Sequence, residues 1–268
     1  DAFIVPGGKG ANQAVTISRL NGYVEMIGCV GDDNFGTKLI ETLKHEKVGV
    51  ENIVVNRNAN TGQAFIIVDE NGENSIVVSP GANNCLTPDM IKQRENVIKD
   101  ADILLIQMEI PIETVMEAIL LAQKNNVEVI LNPAPATNLP LSILNSVDIL
   151  TPNESEGKLL LQSYKDKECT KPTEIIKSLK LLGPKKVALT QGSEGVITLE
   201  DHTIKHIPAH KVAVVDTTAA GDSFNGALAL AYAQGKSFTE SVNFAQRVAA
   251  IPVTKNGAIS SLPFYSEL

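Results

Sequence analysis

Short aliphatic runs alternate with amphipathic segments of about ten to fifteen residues through the middle of the chain. This rhythm is typical of βαβ units, in which helices join parallel strands. It predicts strands at residues 101–107, 127–131, 147–150 and 186–190, and helices at residues 111–125, 153–162 and 173–182. Because parallel sheets are covered by helices on both faces, the pattern predicts a doubly wound α/β fold.

Two segments interrupt this rhythm. Residues 63–79 contain two strand-like runs around Asn71-Gly72, which predicts a hairpin that serves as a lid or a dimer contact. From Ala219 to Gln234, small residues precede an alanine-rich and leucine-rich run, and Gly235 follows. This second segment indicates a glycine-rich turn that leads into a buried helix.

Composition narrows the possible classes of protein. The 268 residues include 23 Lys and Arg against 31 Asp and Glu, a net charge of −8 without any basic block, so nucleic acid is not an expected partner. No apolar run approaches the ~20 residues that cross a membrane. The three cysteines are widely spaced and lack a CxxC pair, which indicates buried thiols in a reducing compartment, the cytoplasm.

A first candidate motif spans residues 7–14, Gly-Gly-Lys-Gly-Ala-Asn-Gln-Ala, just before a helical pattern that ends near Leu20. It fits neither a P-loop nor the G-x-G-x-x-G of dinucleotide folds, because Gln13 occupies the place of the third glycine. Closely spaced glycines let backbone N–H groups approach a ligand, and Asn12 offers a donor and an acceptor that suit hydroxyl groups. A tight turn before a helix explains the glycines equally well.

A second motif spans residues 216–226, Asp-Thr-Thr-Ala-Ala-Gly-Asp-Ser-Phe-Asn-Gly. Its small residues leave the N–H groups of Ala220, Gly221 and Asp222 uncovered at a helix N-terminus, where they can hold phosphate oxygens. An isolated Gly-Asp pair would be interpreted as a helix cap. The surrounding run of small residues, which a cap does not need, favours an anion hole instead.

Together the two motifs resemble the two signatures of the ribokinase/PfkB carbohydrate kinases. Five further segments fit the family in order and spacing, namely residues 107–109, 132–136, 151–156, 190–195 and 253–258. The resemblance implies that residues 1–268 form a single ribokinase-like α/β domain with the hairpin, at about residues 61–81, as its lid. It implies an ATP-dependent kinase for the 5-hydroxyl of D-ribose that forms a homodimer through this lid.

The resemblance also implies roles for individual residues. Asp222 corresponds to the catalytic base, within an anion hole formed with Ala219, Ala220 and Gly221. The sugar would be bound by Gly8, Lys9, Gly10, Asn12, Glu109 and Asp222. On sequence alone, Glu109 is equally well explained as a solvated loop residue. The nucleotide would be bound by Asn153, Glu156, Thr190, Gln191, Gly192, Ser193, Glu194, Gly195, Gly221, Asp222 and Gln246.

Two metal ions follow from the same resemblance. Asn153 and Glu156 match an N-x-x-E element that lies near the triphosphate and its Mg²⁺, largely through water. The same two residues are also a typical N-cap and capping-box pair. A K⁺ site would be enclosed, chiefly by carbonyl groups, by Asp216, Thr218, Pro252, Lys255, Gly257 and Ser261. Pro252 and Ser260 depart from the family pattern, in which an alanine-like residue and a proline are usual.

Two alternative functions stay open at this point. A related kinase for deoxyribose, fructose or a nucleoside would share the ATP site and differ around Asn12 and Glu109. A sugar-binding protein that has lost catalysis is the other, although the intact Ala-Ala-Gly-Asp sequence disfavours it. The resemblance further implies a first sheet strand, ending in a sugar-binding aspartate, ahead of Asp1, and a short piece after Leu268.

Overall fold

The computed structural model describes residues 4–68, 74–164 and 169–268. Within them the helices are α1 (Lys9–Arg19), α2 (Asn34–His45), α3 (Pro88–Lys92), α4 (Glu95–Lys99), α5 (Ile112–Lys124), α6 (Leu141–Leu144), α7 (Glu154–Gln162), α8 (Pro172–Leu181), α9 (Ala220–Ala233) and α10 (Phe238–Ala249). The strands are β1 (Gly28–Gly31), β2 (Ile53–Asn56), β3 (Gln63–Val68), β4 (Asn74–Ser79), β5 (Ile103–Ile106), β6 (Glu128–Leu131), β7 (Ile149–Leu150), β8 (Lys186–Thr190), β9 (Val196–Glu200) and β10 (Thr203–Ile207).

The main sheet has six strands in the order β10-β9-β8-β7-β6-β5. Strands β5 to β8 run parallel, as the sequence predicted, and helices connect them. Strands β9 and β10 were not predicted and add an antiparallel hairpin at the β8 edge. Ile106 pairs with Leu131, and Leu131 pairs with Leu150, so β5, β6 and β7 end at the same level.

Both faces of this sheet are buried. In β6, Val129 and Leu131 belong to a core that includes residues of α5, α7 and α8. Ile130, between them, belongs to a second core with residues of α1, α9 and α10. Successive strand side chains point to opposite faces, so two separate cores require helices on both sides of the sheet. The predicted doubly wound α/β fold is confirmed.

Two smaller sheets lie outside the main one. The antiparallel pair β3 and β4 confirms the two predicted hairpin strands, while the predicted Asn71-Gly72 turn lies outside the described residues. Phe65, Val77 and Val78 are exposed on this pair. Strands β1 and β2 form a parallel pair that the sequence pattern did not predict.

Side chains cap some of the helices. Asn153 and Glu156 form a capping box at the start of α7, and Ser237 and Glu240 form another at α10. Helices α1 and α9, which carry the two motifs, begin without a side-chain cap. Nine of the fourteen residues of α9 are buried, and five of these are Ala, Gly or Ser, which lets its neighbours approach closely. No helix among the described residues is long and apolar enough to span a membrane.

Arg19, the last residue of α1, connects this helix to the end of α2 and to the C-terminal segment. Its guanidinium forms a two-pronged ion pair with Glu46, at 2.8 and 2.7 Å, just after α2. A third nitrogen donates to the carbonyls of Ile259 and Leu262, at 2.9 and 2.6 Å, and the group stacks on Phe264. The C-terminal segment is therefore tied to the helix that follows the first glycine motif.

The cysteines are all free thiols. Cys29 is buried in β1, and burial is the main cause that raises the pKa of its thiol. Cys85 and Cys169 were expected to be buried but are half-buried, because both lie in segments outside the strands.

Candidate active site

Polar side chains cluster where three parallel strands end. Gln107, Asn132 and Thr151 directly follow β5, β6 and β7. Because these strands end at the same level, the three side chains meet at one edge of the sheet. Asn132 is buried there and donates to the Thr151 carbonyl at 3.2 Å. Open α/β sheets bind ligands beyond the carboxyl ends of their strands, so this edge is the expected location of a site.

The N-terminus of α9 points to the same edge. Ala219, the N-cap, has a φ of 61°, a left-handed conformation that is unusual for a residue with a side chain. Ala220, Gly221 and Asp222 form the first turn. The Ala220 N–H, which the sequence predicted to be uncovered, donates to the Thr217 carbonyl at 3.3 Å, whereas the N–H groups of Gly221 and Asp222 have no acceptor within the helix. This turn, together with the helix dipole, favours a negatively charged ligand.

Asp222 is held between two side-chain amides from α1. Asn12 donates to Oδ2 at 2.8 Å, and Gln13 donates to Oδ1 at 3.1 Å. The aspartate is 8% exposed, so the two amides provide hydrogen bonds that water would otherwise supply. The structure thus joins the two predicted motifs, which lie more than 200 residues apart, at a single carboxylate.

The first glycine motif has a well-defined conformation. Gly8 precedes α1 with a φ of 102°, a region that favours glycine. The backbone N–H of Lys9 donates to Glu109 at 3.1 Å, which draws Glu109 toward the start of the helix. Gly10 lies in the first turn of α1, where a Cβ would be 3.2 Å from the Gln107 side-chain oxygen.

Asn12 retains an unused acceptor. Its Oδ1 is buried and has no hydrogen-bond partner within the described part of the chain, whereas its Nδ2 donates to Asp222. A buried amide oxygen without a partner is costly, and a ligand hydroxyl would satisfy it. Asn12 is therefore a candidate to accept a hydrogen bond from a hydroxyl group, although it is not among the residues that line the cavity described below.

Burial dominates the electrostatics of the three acidic groups at this edge. Burial raises the pKa of Asp222 above its ordinary value, while hydrogen bonds from Asn12 and Gln13 and the charge of Lys9 counteract it. Burial likewise raises the pKa of Glu109 and of Glu156, and Lys9 counteracts both effects. Displaced pKa values around a cleft are typical of catalytic sites.

A cavity of about 210 Å³ opens at this edge. Among the predicted site residues it is lined by Lys9, Asn153, Glu156, Thr190, Ala219, Gly221 and Asp222. Within the described chain, residues 191–195 and Gln246 are not part of its walls. Thr190 ends β8 and its backbone N–H donates to the Pro152 carbonyl, which brings it beside Asn153. Gln246 is buried on α10 and donates weakly to the Ile207 carbonyl at 3.4 Å.

The residues predicted for the K⁺ site lie in two segments joined by Asp216. Its Oδ1 accepts from the N–H and hydroxyl of Thr218, at 2.9 and 2.6 Å, and its Oδ2 accepts from the Gly257 N–H at 3.0 Å. Burial acts to raise the pKa of Asp216, but these hydrogen bonds outweigh it and lower the pKa. Pro252 and Ser261 are buried, and the Lys255 side chain pairs with Glu267.

Comparison with known proteins shows the family to which this chain belongs. The pattern of the pfkB family carbohydrate kinases matches residues 4–264. The chain belongs to this family. A ribokinase of Haemophilus influenzae is 40% identical over 266 residues, which are 98% of this chain and 86% of that protein.

Solved structures of pfkB family kinases superpose closely on this one. Ribokinase from Thermotoga maritima gives a TM-score of 0.92 at 39% identity, covering 100% of this chain and 87% of that one. Arabidopsis thaliana ribokinase, complexed with ribose and ATP, gives 0.89 at 32% identity, covering 97% of this chain and 85% of that one.

Several polar residues of this pfkB family kinase had no predicted role. Gln13 bridges Asp222 and Asn132, and Gln107 donates to Gln13 at 2.5 Å. Thr151 donates to Asn225 at 2.5 Å, and both line the cavity. A polar residue at the end of a predicted buried strand was the available signal for Gln107, and a polar residue directly after one was the signal for Asn132 and Thr151. For Gln13 and Asn225, their position inside the two motifs was the only signal.

Proposed function

We propose that the protein is an ATP-dependent ribokinase that transfers the γ-phosphoryl group of ATP to the 5-hydroxyl of D-ribose. The observation that carries this proposal is Asp222, a buried carboxylate held by Asn12 and Gln13 at the start of α9. Relatives named ribokinase, at about 40% identity over nearly the whole chain, support the choice of sugar.

Asp222 acts as the base in this proposal. As the 5-oxygen bonds to the γ-phosphorus, its proton passes to the Asp222 carboxylate, and the bond from that phosphorus to the β–γ bridging oxygen breaks. ADP leaves with the bridging oxygen. Phosphoryl transfer depends more on alignment and charge stabilisation than on a strong base, so a positioned carboxylate is sufficient. The N–H groups of Gly221 and Asp222 stabilise the charge on the transferred group, within the turn formed with Ala219 and Ala220.

The sugar lies beside α1 in this proposal. Asn12 Oδ1 accepts from one hydroxyl, which satisfies its orphaned buried lone pairs. Glu109, bonded to the Lys9 N–H, accepts from another. Gly8, Lys9 and Gly10 allow the backbone to approach the ring. A hydroxyl-rich ligand therefore meets acceptors on one side and the base on the other.

The nucleotide lies toward β8 and α7. Asn153, Glu156 and Thr190 line the cavity on this side, and residues 191–195 and Gln246 extend the proposed site beyond it. No group of three His, Cys, Asp or Glu side chains in the described chain could hold a metal ion. A Mg²⁺ ion would therefore be held mainly by phosphate oxygens and water, with Glu156 as the protein carboxylate beside it, and would supply neutralisation of charge on the triphosphate.

The K⁺ assignment rests on Asp216 and its neighbours. The ionised carboxylate accepts from N–H and hydroxyl donors of two loop segments and so holds these segments together. Thr218, Pro252, Lys255, Gly257 and Ser261 complete the proposed site. A bound K⁺ would support the start of α9 electrostatically. Replacing Asp216 by Ala is expected to abolish the activation by KCl over NaCl at constant ionic strength.

The exposed apolar side chains of β3 and β4 support a homodimer formed through this hairpin, which we propose as a lid on a single ribokinase-like domain. Sedimentation of the protein with Phe65→Ser and Val77→Ser is expected to show monomers. The three free thiols and the need for ATP support a location in the cytoplasm.

The decisive experiment is an ADP-release assay over a panel of D-ribose, 2-deoxy-D-ribose, D-fructose and a nucleoside. We expect D-ribose to have the highest kcat/KM, and Asp222→Asn to abolish turnover without loss of ATP binding by calorimetry. Asp100→Asn, at an exposed aspartate, is the matched control. Turnover of no sugar would refute the kinase assignment, and a wild-type rate in Asp222→Asn would refute the base.

A further inference from the structure

Gln13 has no part in the chemistry described above, yet it is completely buried beside the base. Its Nε2 donates to Asp222 Oδ1 at 3.1 Å and to Asn132 Oδ1 at 3.2 Å. Its Oε1 accepts from Gln107 Nε2 at 2.5 Å. Both amide hydrogens are therefore used, and the carbonyl oxygen is also satisfied.

Asp222 and Gln107 together determine which way the Gln13 amide faces. Oxygen and nitrogen of a glutamine side chain have nearly the same shape, so only hydrogen bonding selects one orientation. The ionised Asp222 carboxylate can only accept, which requires the Gln13 nitrogen on its side, and Gln107 donates to the Gln13 oxygen on the other side. Reversal of the amide would place an oxygen against the Asp222 carboxylate.

The two amides hold opposite ends of the Asp222 carboxylate. Asn12 fixes Oδ2 and Gln13 fixes Oδ1, so rotation of the carboxylate about its terminal bond is restrained at both oxygens. Asn12 also carries the orphaned acceptor assigned to the sugar, whereas Gln13 has no capacity left for a ligand. Gln13 therefore takes part only in the network of side chains around Asp222.

We propose that Gln13 is a positioning residue that orients the base Asp222, and that Gln107 orients Gln13. This inference rests on the proposed function, because it takes Asp222 as the base. The charged groups around Asp222 are Lys9, Glu109 and Glu156. None of them is altered when Gln13 or Gln107 is replaced by Met, which preserves side-chain length and removes the amide.

The experiment compares Gln13→Met, Gln107→Met and the double variant with the full-length wild type. We expect Gln13→Met to lower kcat for ribose by about 10- to 100-fold, the range expected for a misaligned reacting group. KM for ATP should stay within about twofold. Gln107→Met should lower kcat less, and it should have no further effect when Gln13 is already replaced, because it acts through Gln13.

The pH profile separates positioning from a general loss of structure. Without the Gln13 donor, the ionised form of Asp222 is less favoured, so the acidic limb of kcat should move to higher pH by about one unit. Thr16→Val is the matched control on the same helix, since Thr16 is buried and its hydroxyl bonds only the Asn12 carbonyl. It should leave both kcat and the acidic limb unchanged.

The outcomes distinguish this inference from the proposed function. A wild-type protein that phosphorylates no sugar would refute the proposed function. An active wild type with Gln13→Met at the same kcat and pH profile would refute the positioning role alone. Additive effects of the two Met substitutions would refute the action of Gln107 through Gln13. Gln107 is half-buried, so its variant tests the chain of contacts even when Gln13→Met folds poorly.

Discussion

Gly226 lies directly against the backbone of Gln13. A Cβ atom at Gly226 would be 2.7 Å from the Gln13 carbonyl oxygen and 2.9 Å from the Thr16 side chain. Gly226 is about one turn beyond Asp222 on α9. This close approach of α9 to α1 brings the amides of Asn12 and Gln13 within hydrogen-bonding distance of the base.

Gly226→Ala should therefore affect both stability and catalysis. The added methyl group would clash with the backbone of α1, which cannot move away by a change of rotamer. We therefore expect the free energy of unfolding to fall by about 1–3 kcal/mol. Displacement of α1 should also lower kcat for ribose. Urea unfolding and steady-state kinetics measure the two effects. Ala229→Gly, at a buried position of the same helix, should cost about 1 kcal/mol of stability and leave kcat unchanged.

The dependence of kcat on pH should reflect the buried base. Asp222 works only when it is ionised, and burial raises its pKa. The rate should therefore fall as pH decreases through a pKa above about 4, the ordinary value for aspartate. Circular dichroism at each pH separates this effect from unfolding. Glu156→Gln should keep the fall in kcat at low pH. If that fall disappears in this variant, the titrating group is Glu156 and not Asp222.

Ala219 and Ala220 should respond oppositely to replacement by glycine. At Ala219 the left-handed φ of 61° costs an alanine about 1–2 kcal/mol, which glycine does not incur. Part of that gain is offset by the greater flexibility of glycine in the unfolded chain. We expect Ala219→Gly to keep stability or raise it by up to about 1 kcal/mol. Ala220→Gly, within the helix, should lower it by about 1 kcal/mol in urea unfolding.

Arg19→Met should be among the most destabilising substitutions of a charged residue. It leaves Glu46 buried without its partner and removes two hydrogen bonds to the C-terminal segment, so we expect a loss of about 3–5 kcal/mol at pH 7. The hydrogen bond from Arg19 lowers the pKa of Glu46. This stabilisation is complete above the ordinary glutamate pKa and is lost as pH falls through the lowered one. The difference between variant and wild type should shrink as pH falls below the ordinary pKa of glutamate and through the lowered pKa of Glu46; a constant difference would contradict the ion pair.

The sequence pattern predicts the parallel strands well, because buried strands and amphipathic helices have distinct hydrophobic periods. Strands β1 and β2 escaped prediction because two of the four residues of β1 are glycines, which disfavour strands, and because β2 is only partly buried. The antiparallel pair β9 and β10 has no periodic signal that sets it apart from parallel strands. Whether two strands are parallel or antiparallel depends on the segment that connects them, and hydrophobic periodicity gives no information about that segment.

The candidate site was only partly predictable. Asp222 and Asn12 lie in glycine-rich motifs, and such motifs predict ligand binding because the backbone is exposed there. The contacts of Gln13 with Gln107 and Asn132 join residues that are about a hundred positions apart in the sequence. Hydrophobic periodicity gives no information about which amide side chains will pair. Their partnership depends on the packing of α1 over the sheet, which only the folded chain reveals.

Asn12 and Gln13 are consecutive residues, and both amides reach the same carboxylate. Each residue of an α-helix advances the side-chain direction by about 100°. The site therefore depends on the rotational phase of α1, which Gly8 sets at the point where the helix begins. One residue inserted between Gly8 and Asn12 would move Asn12 into the direction that Gln13 now has and would turn Gln13 about 100° further, so the pair could no longer hold both oxygens of Asp222, although every functional side chain would still be present.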